Sequence, residues 1–455
     1  MEKNLTNDHV EPVPDSELKS CKPGKVWYLP LFSVTQQKKN KTRLVFDSSA
    51  VYSNTSLNKE LLLGPDVNNQ LRTVLRFRMK EIGFCADIES MFYAFRLYPK
   101  DKDFTRFFWW RNNDPSQEII EFRVKVHVFG NTSSPALANI GLRYAANNNP
   151  VASDTVKEFV THNFYVDDAC GCADTEEQAT EILTATKEVL SSNNIRLHKI
   201  ISNSSAVINN FPTSETSIST SSKNFEDCSS QQTLGVEWNI ANDDFVIRCN
   251  VPERPFTKRG VLSTNNSMYD PFGFVSPVTL SGRLLQCSLI PSKHDNPTIA
   301  SLGWDYPIPS EHLPLWQKWK SSLSSMDGLV TIPRSYIPKN FSPVTNQTLH
   351  VFSDASNEGT GHVSYIRSIN QKRETHIAFV AANSRVPPRS LIAIPRLELC
   401  AALDAAISAQ HTASDIGIPP DKMHLYTDSK IVLGYLTNST TIFSRYVTRR
   451  VSLIL

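Results

Sequence analysis

Apolar and polar positions alternate from Ile82 to Ala86, with Gly83 and Cys85 between them, and this period of two predicts a buried strand that delivers Asp87 to its end. The apolar run Phe159 to Val166 runs straight into Asp167-Asp168 and the small residues 169–173, which predicts one strand of a hairpin with the acidic pair at its tip. Thr175 and Gln178 form a capping box. Beyond them Ala179, Ile182, Leu183, Thr186, Val189 and Leu190 recur at helical spacing and predict a helix beneath that sheet. Upstream, Val26 to Leu29 and Leu44 to Phe46 flank a polar turn and predict a hairpin with a basic tip. Phe104 to Trp110 and Ile119 to Val128 predict a second hairpin around Asn112 to Pro115. Ile88, Met91, Phe92 and Phe95 are spaced for a single helical turn. The loop Phe129 to Pro135 is expected to open a helix with Ser134 as N-cap and Pro135 as its first residue.

Further along, Thr233 to Trp238 with Phe245 to Ile247 predicts another hairpin. Residues 257–289 look mostly helical, interrupted where Pro271 and Pro277 forbid a continuous helix, and Leu313 to Leu323 is an amphipathic helix with Trp316 and Trp319 in the core. Three stretches look irregular: a flexible lead at 1–24, a Ser/Thr-rich loop at 202–232, and a proline-bearing linker from Ile332 to Asn346. The final stretch sets Asp354 at the end of one strand, Glu398 at the start of an Ala/Leu-rich helix, and Asp428 at the end of another strand.

Composition adds little. The chain has 455 residues and a formal charge of +2, so charge alone does not announce a nucleic-acid binder. Two basic clusters, Lys38, Lys39, Lys41 and Arg43, then Arg72, Arg76, Arg78 and Lys80, suit either phosphate contact or a solvated face. Eight cysteines without paired CxxC spacing suggest neither a zinc site nor a disulfide framework, and fit a reduced intracellular setting. No signal-peptide core and no run of about 18 apolar residues is present, so no membrane partner is expected.

The acidic residues carry the chemistry. A carboxylate on a buried strand is costly unless it is paired or binds a cation. Asp87, Asp167 and Asp168, brought together from two strand ends, suit two Mg2+ ions about 4 Å apart, with Mn2+ as a substitute, and such a pair serves in-line phosphoryl displacement. Asp354, Glu398 and Asp428 follow the strand–helix–strand order of a ribonuclease H-like fold, whose carboxylates converge on two metals. Ribonuclease H-like domains usually add a fourth ligand from a later helix. None is offered before Leu455, so a C-terminally truncated domain of doubtful nuclease competence is expected.

The ordered stretches Trp27-Tyr28-Leu29-Pro30, Arg43 to Ala50, the Asp87 segment, Phe129-Gly130, Ser134-Pro135, Phe164 to Asp168, Leu234-Gly235-Val236 and Tyr269 to Pro277 resemble the polymerase region of Bel/Pao-type LTR retrotransposons. The last is the most specific, because a generic reverse transcriptase has no need of it. The resemblance implies an α+β multi-domain chain: reverse-transcriptase fingers and palm at 25–201, a thumb or connection region at 233–345, and the ribonuclease H-like domain at 346–455. It implies an RNA-directed DNA polymerase with an RNA or DNA template and primer and dNTPs as partners, alongside other segments of a polyprotein. Family members usually extend further upstream, so incomplete fingers are expected. Arg43 would then hold the incoming triphosphate, and Phe92 would sit beneath the nucleotide sugar and exclude a 2′-hydroxyl. Gly130 would face template and nucleotide, and Leu234 and Gly235 would grip the primer end. Two readings compete with this one: a nucleic-acid-binding relic without turnover, and a hybrid nuclease acting through the C-terminal carboxylates alone.

Overall fold

The computed structural model of the chain describes all residues except 20–23, 37–40, 66–69, 218–229, 250, 290–300, 342, 389–392 and 439. The first described strands are β1 (Val10–Pro12), β2 (Leu31–Gln36), β3 (Lys41–Phe46), β4 (Ile82–Ile88), β5 (Arg106–Trp110) and β6 (Ile119–Val124). Next come β7 (Phe164–Tyr165), β8 (Asp168–Ala173), β9 (Leu197–Ser202), β10 (Ser230–Thr233), β11 (Val236–Asn239), β12 (Asp244–Ile247) and β13 (Val330–Pro333). The last are β14 (Val344–Ala355), β15 (Thr360–Asn370), β16 (Thr375–Arg385) and β17 (Met423–Thr427). They form sheets ordered β1-β6-β5, β2-β3, β7-β8-β4-β9, β10-β11-β12-β13 and β16-β15-β14-β17.

In the third of these sheets β4 is central, flanked by β8 and β9, and its pleat divides two cores. Phe84, Ala86 and Ile88 pack with Leu142, Val156, Phe159, Leu183 and Leu190 of the helices Ser134–Asn147, Asp154–His162 and Glu176–Ser191. Cys85 faces the other way, into a core shared with Val74 and Phe77 of the helix Gln70–Phe77 and with Trp238 and Phe245. That second core continues through Phe272 and Tyr336 to Leu349, Val351, Ile366, Val380 and the Ala-rich helix Ile394–Ile416, so palm-like and C-terminal sheets share one interior.

Several expectations need correction. Residues 1–24 are not a detached lead: β1 pairs antiparallel with β6, and Val10 and Val13 are buried. The run from Phe159 is helical until His162, and the strand begins only at Phe164. Ser134 does not cap its helix, because its hydroxyl donates to the Val128 carbonyl, 2.9 Å away, and Ser133 takes the N-cap position. The segment 202–232 contains the helix Ser205–Asn209 and begins β10, while 218–229 lie outside the described residues. The hairpin expected at 233–247 does form, β11 against β12, and it is extended into a four-stranded sheet by β10 and by β13, more than eighty residues downstream.

The supposed linker begins by burying side chains: Ile332, Arg334 and Tyr336 lie in the core, while Pro333 and 338–340 are exposed. Arg334 has no exposed surface, pairs with both carboxylate oxygens of Asp243 at 2.6 and 2.8 Å, and donates to the carbonyls of Phe77 and Glu81. Arg78 is equally enclosed; it donates to the carbonyls of Arg334, Pro333 and Val380 and lies 4.3 Å from the Tyr336 ring centre. The basic cluster at 72–80 is therefore spent internally. Arg72 pairs with Asp415, Arg76 with Glu158, and Lys80 with Asp174.

The stretch Tyr269 to Pro277 is a joint. Tyr269 donates its hydroxyl to the Leu234 carbonyl, Ala382 of β16 donates its N–H to the Phe272 carbonyl at 2.7 Å, and the Phe274 ring meets Phe379 edge-on. Gly273 has φ +69°, and a Cβ there would lie 1.7 Å from the Ala382 oxygen, so only glycine permits this approach. Asp270 holds the turn by accepting the N–H groups of Phe274 and Val275.

Candidate active site

β4 and β8 run antiparallel with Asp87 opposite Asp168, Cys85 opposite Cys170 and Gly83 opposite Cys172. Cross-strand partners share a face, so the two carboxylates stand side by side above the shared core. Asp167 occupies the two-residue turn between β7 and β8, and its carbonyl accepts the Ile88 N–H at 2.9 Å. Val166, the first turn residue, has φ +54°, a strained region for a β-branched residue and the sign that a type II′ turn requires. The strain is held by the sheet on either side. Burial, then the charges of Asp167 and Asp87, push the Asp168 carboxyl up to about 6.

Lys199 was not anticipated. Between Cys85 and Asp87, β9 spends one residue more than β4, and in this bulge Lys199 adopts φ +53° and sets its ammonium on the Asp87 carboxylate. His198, next to it, contacts the Asp87 carbonyl through Nδ1 at 3.0 Å. Asp87, Asp167 and Asp168 do not bring one oxygen each within 4.8 Å of all the others, and Asp87 engages the lysine. A crowded, partly buried carboxylate cluster with one ammonium against it is nonetheless a donor set that suits divalent cations.

The other expected residues are distributed around this centre. Phe92, 6% exposed in the short helix Met91–Ala94, packs its ring 4.6 Å from that of Phe129. Arg43 pairs with Val34 through the backbone of β3, and its side chain lies outside what is described. At Gly130 φ is +115°, and a Cβ would fall 2.3 Å from the Phe46 carbonyl oxygen, so this glycine lets the loop close on β3. Leu234 and Gly235 form a turn with φ +51° and +79°, the signs of type I′. Leu234 is buried, its carbonyl takes hydrogen bonds from Gln70 and Tyr269, and Gly235 lies against the Tyr269 ring.

In the C-terminal sheet β14 and β17 run parallel, with Ser353 opposite Thr427, so Asp354 and Asp428 emerge together where these strands end. Glu398 sits in the first turns of the helix laid across them. Oxygens of Asp354, Glu398 and Asp428 lie within 4.8 Å of one another, which no other group of three acidic, histidine or cysteine residues achieves among the described residues. Glu398 is 9% exposed, and its Oε2 is buried without a hydrogen-bond partner. Burial first, then the charges of Asp354 and Asp428, raise its carboxyl above the usual range. A buried carboxylate that belongs to an acidic trio and keeps one oxygen without a partner fits a cation.

Residues 257–429 match the family model for the Pao retrotransposon-like RNaseH-like domain. This segment is Pao-type. Over the whole chain the fold is similar to the foamy viral protease-reverse transcriptase. Its dRH form in complex with double-stranded DNA gives a TM-score of 0.59 at 15% identity, covering 99% of this chain and 65% of that one. The complexes with an RNA/DNA hybrid and with double-stranded DNA each give 0.55 at 16%, covering 96% and 100% of this chain and 50% and 78% of theirs. The chain thus spans less than two thirds of the length of the first two viral proteins. It shares a reverse-transcriptase fold with them, α+β throughout, and ends in an RNaseH-like domain. No curated protein matches it. Among the described residues no helix is long and apolar enough to cross a membrane.

Proposed function

We propose that the chain is the reverse-transcriptase region of a Pao-type retroelement, adding dNTPs to a primer 3′-hydroxyl on an RNA template. The carrying observation is the side-by-side placement of Asp87 and Asp168 with Asp167 on the adjoining turn. Asp87 and Asp167 would hold two Mg2+ ions, with Mn2+ as a substitute, and Asp168 would support one of them. When bound, such a pair supplies charge to both the attacking and the leaving oxygen of an in-line displacement. Lys199 neutralises Asp87 in the meantime. Arg43 is assigned to the triphosphate, Phe92 to the sugar, and Gly130 and the Leu234-Gly235 turn to template and primer. The Leu234 side chain is buried, so the turn's backbone is the part left for the primer. A cytoplasmic setting within a longer polyprotein fits the family. Primer extension on an RNA template with Mg2+ tests this: wild type extends and Asp167→Asn does not, and equal incorporation by both refutes it.

A second activity, cleavage of the RNA strand of a hybrid by Asp354, Glu398 and Asp428, is favoured by the convergence of these carboxylates and by the orphaned Glu398 oxygen. Hybrid cleavage that survives Glu398→Gln would reject it. A binder without turnover is the remaining reading. It would give salt-dependent affinity for nucleic acid with no product from either site.

A further inference from the structure

Next to the C-terminal carboxylates lies a cluster of arginines that neither proposed reaction uses. The helix Arg445–Ile454 packs Val447 into a small core with Leu399, Ala402 and Val432, and so lies along the helix that bears Glu398. Its Tyr446 contacts Cys400 at 3.1 Å and is flanked by two guanidinium groups, Arg450 at 3.6 Å and Arg396 at 5.2 Å from the ring centre. Arg445 and Arg449 are exposed one turn apart on the same helix. None of the four arginines pairs with a carboxylate among the described residues, and Arg450 Nε is buried with no hydrogen-bond partner. No acidic residue occurs after Asp428.

Like charges one turn apart cost stability rather than adding it. A guanidinium held against a ring still presents the donors on its edge, in the geometry that suits phosphate oxygens. Arg396 and Glu398 are two positions apart on one helix, which turns them about 200° from each other. Arg396, and Arg450 stacked with it on the Tyr446 ring, therefore lie across a single helix, about 10 Å, from Glu398. At ~3.4 Å per nucleotide that is about three nucleotides along one strand.

We propose that Arg396, Arg445, Arg449 and Arg450, ordered by Tyr446, form a docking surface for the phosphate backbone of an RNA/DNA hybrid. It sets the register of the strand that reaches Asp354, Glu398 and Asp428. The assignment rests on reading those three as a phosphodiester site, and it adds the partner contact that fixes where they act. The test is the affinity of the full chain for a labelled RNA/DNA hybrid oligonucleotide, in chelator, between about 50 and 200 mM salt. Three proteins are compared: wild type, an Arg396→Ala/Arg445→Ala/Arg449→Ala triple variant, and its Arg→Lys counterpart. Each lost phosphate contact lowers the slope of log affinity against log salt by about 0.9. The alanine protein should lose about two to three from the slope and bind more than tenfold more weakly near 0.1 M, and the lysine protein should keep most of both. An alanine protein with the wild-type slope, or a lysine protein that loses as much as the alanine one, overturns the proposal. Binding in chelator needs no turnover, so an uncut hybrid counts against the nuclease reading alone. An unchanged slope in a protein that cuts counts against the docking surface alone.

Discussion

Replacing Asp168 by Asn should make the metal-free protein more stable at about pH 8, although it removes a central acid of the candidate site. The Asp168 carboxyl is raised from 3.8 to about 6 by burial and by the facing charges of Asp167 and Asp87. A carboxyl raised on folding favours the fold when protonated; that contribution is present in full below pH 4 and is lost as pH rises through 6. At about 1.4 kcal/mol per pH unit the charged form carries a penalty of about 3 kcal/mol. Water reaches part of this carboxyl and screens its charge, so about 1.5 kcal/mol is the working figure. Urea denaturation in chelator reads it directly: Asp168→Asn should exceed wild type by about that amount at about pH 8, and the gap should close by about pH 4. Adding Mg2+ should narrow the gap at high pH, because a cation that binds the folded state selectively stabilises wild type. A variant less stable than wild type at about pH 8 in chelator, or a gap that ignores pH, would refute the reasoning.

Two further outcomes follow from the joints. Arg334→Met strands the buried Asp243 carboxylate and removes the donors of three backbone carbonyls, a loss of about 3–5 kcal/mol. For 455 residues unfolding near 2.1 cal/mol/K each, this is a fall in Tm of about 3–5 °C by calorimetry, and a fall under about 1 °C would contradict it. Gly273→Ala places a Cβ 1.7 Å from the Ala382 oxygen at φ +69°, so the joint must open. The C-terminal domain should then unfold in a separate, earlier calorimetric transition, and an unchanged single transition would argue against the joint.

Which parts of this were legible follows from how local their causes are. The alternation that makes β4, and the strand, helix and strand that carry Asp354, Glu398 and Asp428, are written in contiguous residues, so both acidic sets could be placed before any geometry. β1 could not: three residues gain their strand from β6, more than a hundred positions away. Phe159 and Val160 read as strand because a short apolar run does not separate a buried strand from a helix end. The charges at 72–80 were visible, but Asp415, Glu158 and Asp174 were not visible as their partners, and prolines disguised the buried Arg334 and Tyr336 as linker. Lys199 was missed because its aim depends on a one-residue bulge in a pairing between distant strands. The same distinction explains the Tyr269 to Pro277 motif, the most specific stretch in the chain, which supplies no acid to either candidate site. Its glycine and the Phe272 carbonyl meet the β16 backbone at Ala382, Phe274 meets the Phe379 ring, Tyr269 ties the stretch to Leu234, and Asp270 caps the turn between them. What these residues record is how the C-terminal sheet docks on the preceding core, a contact that no side chain at position 273 would allow.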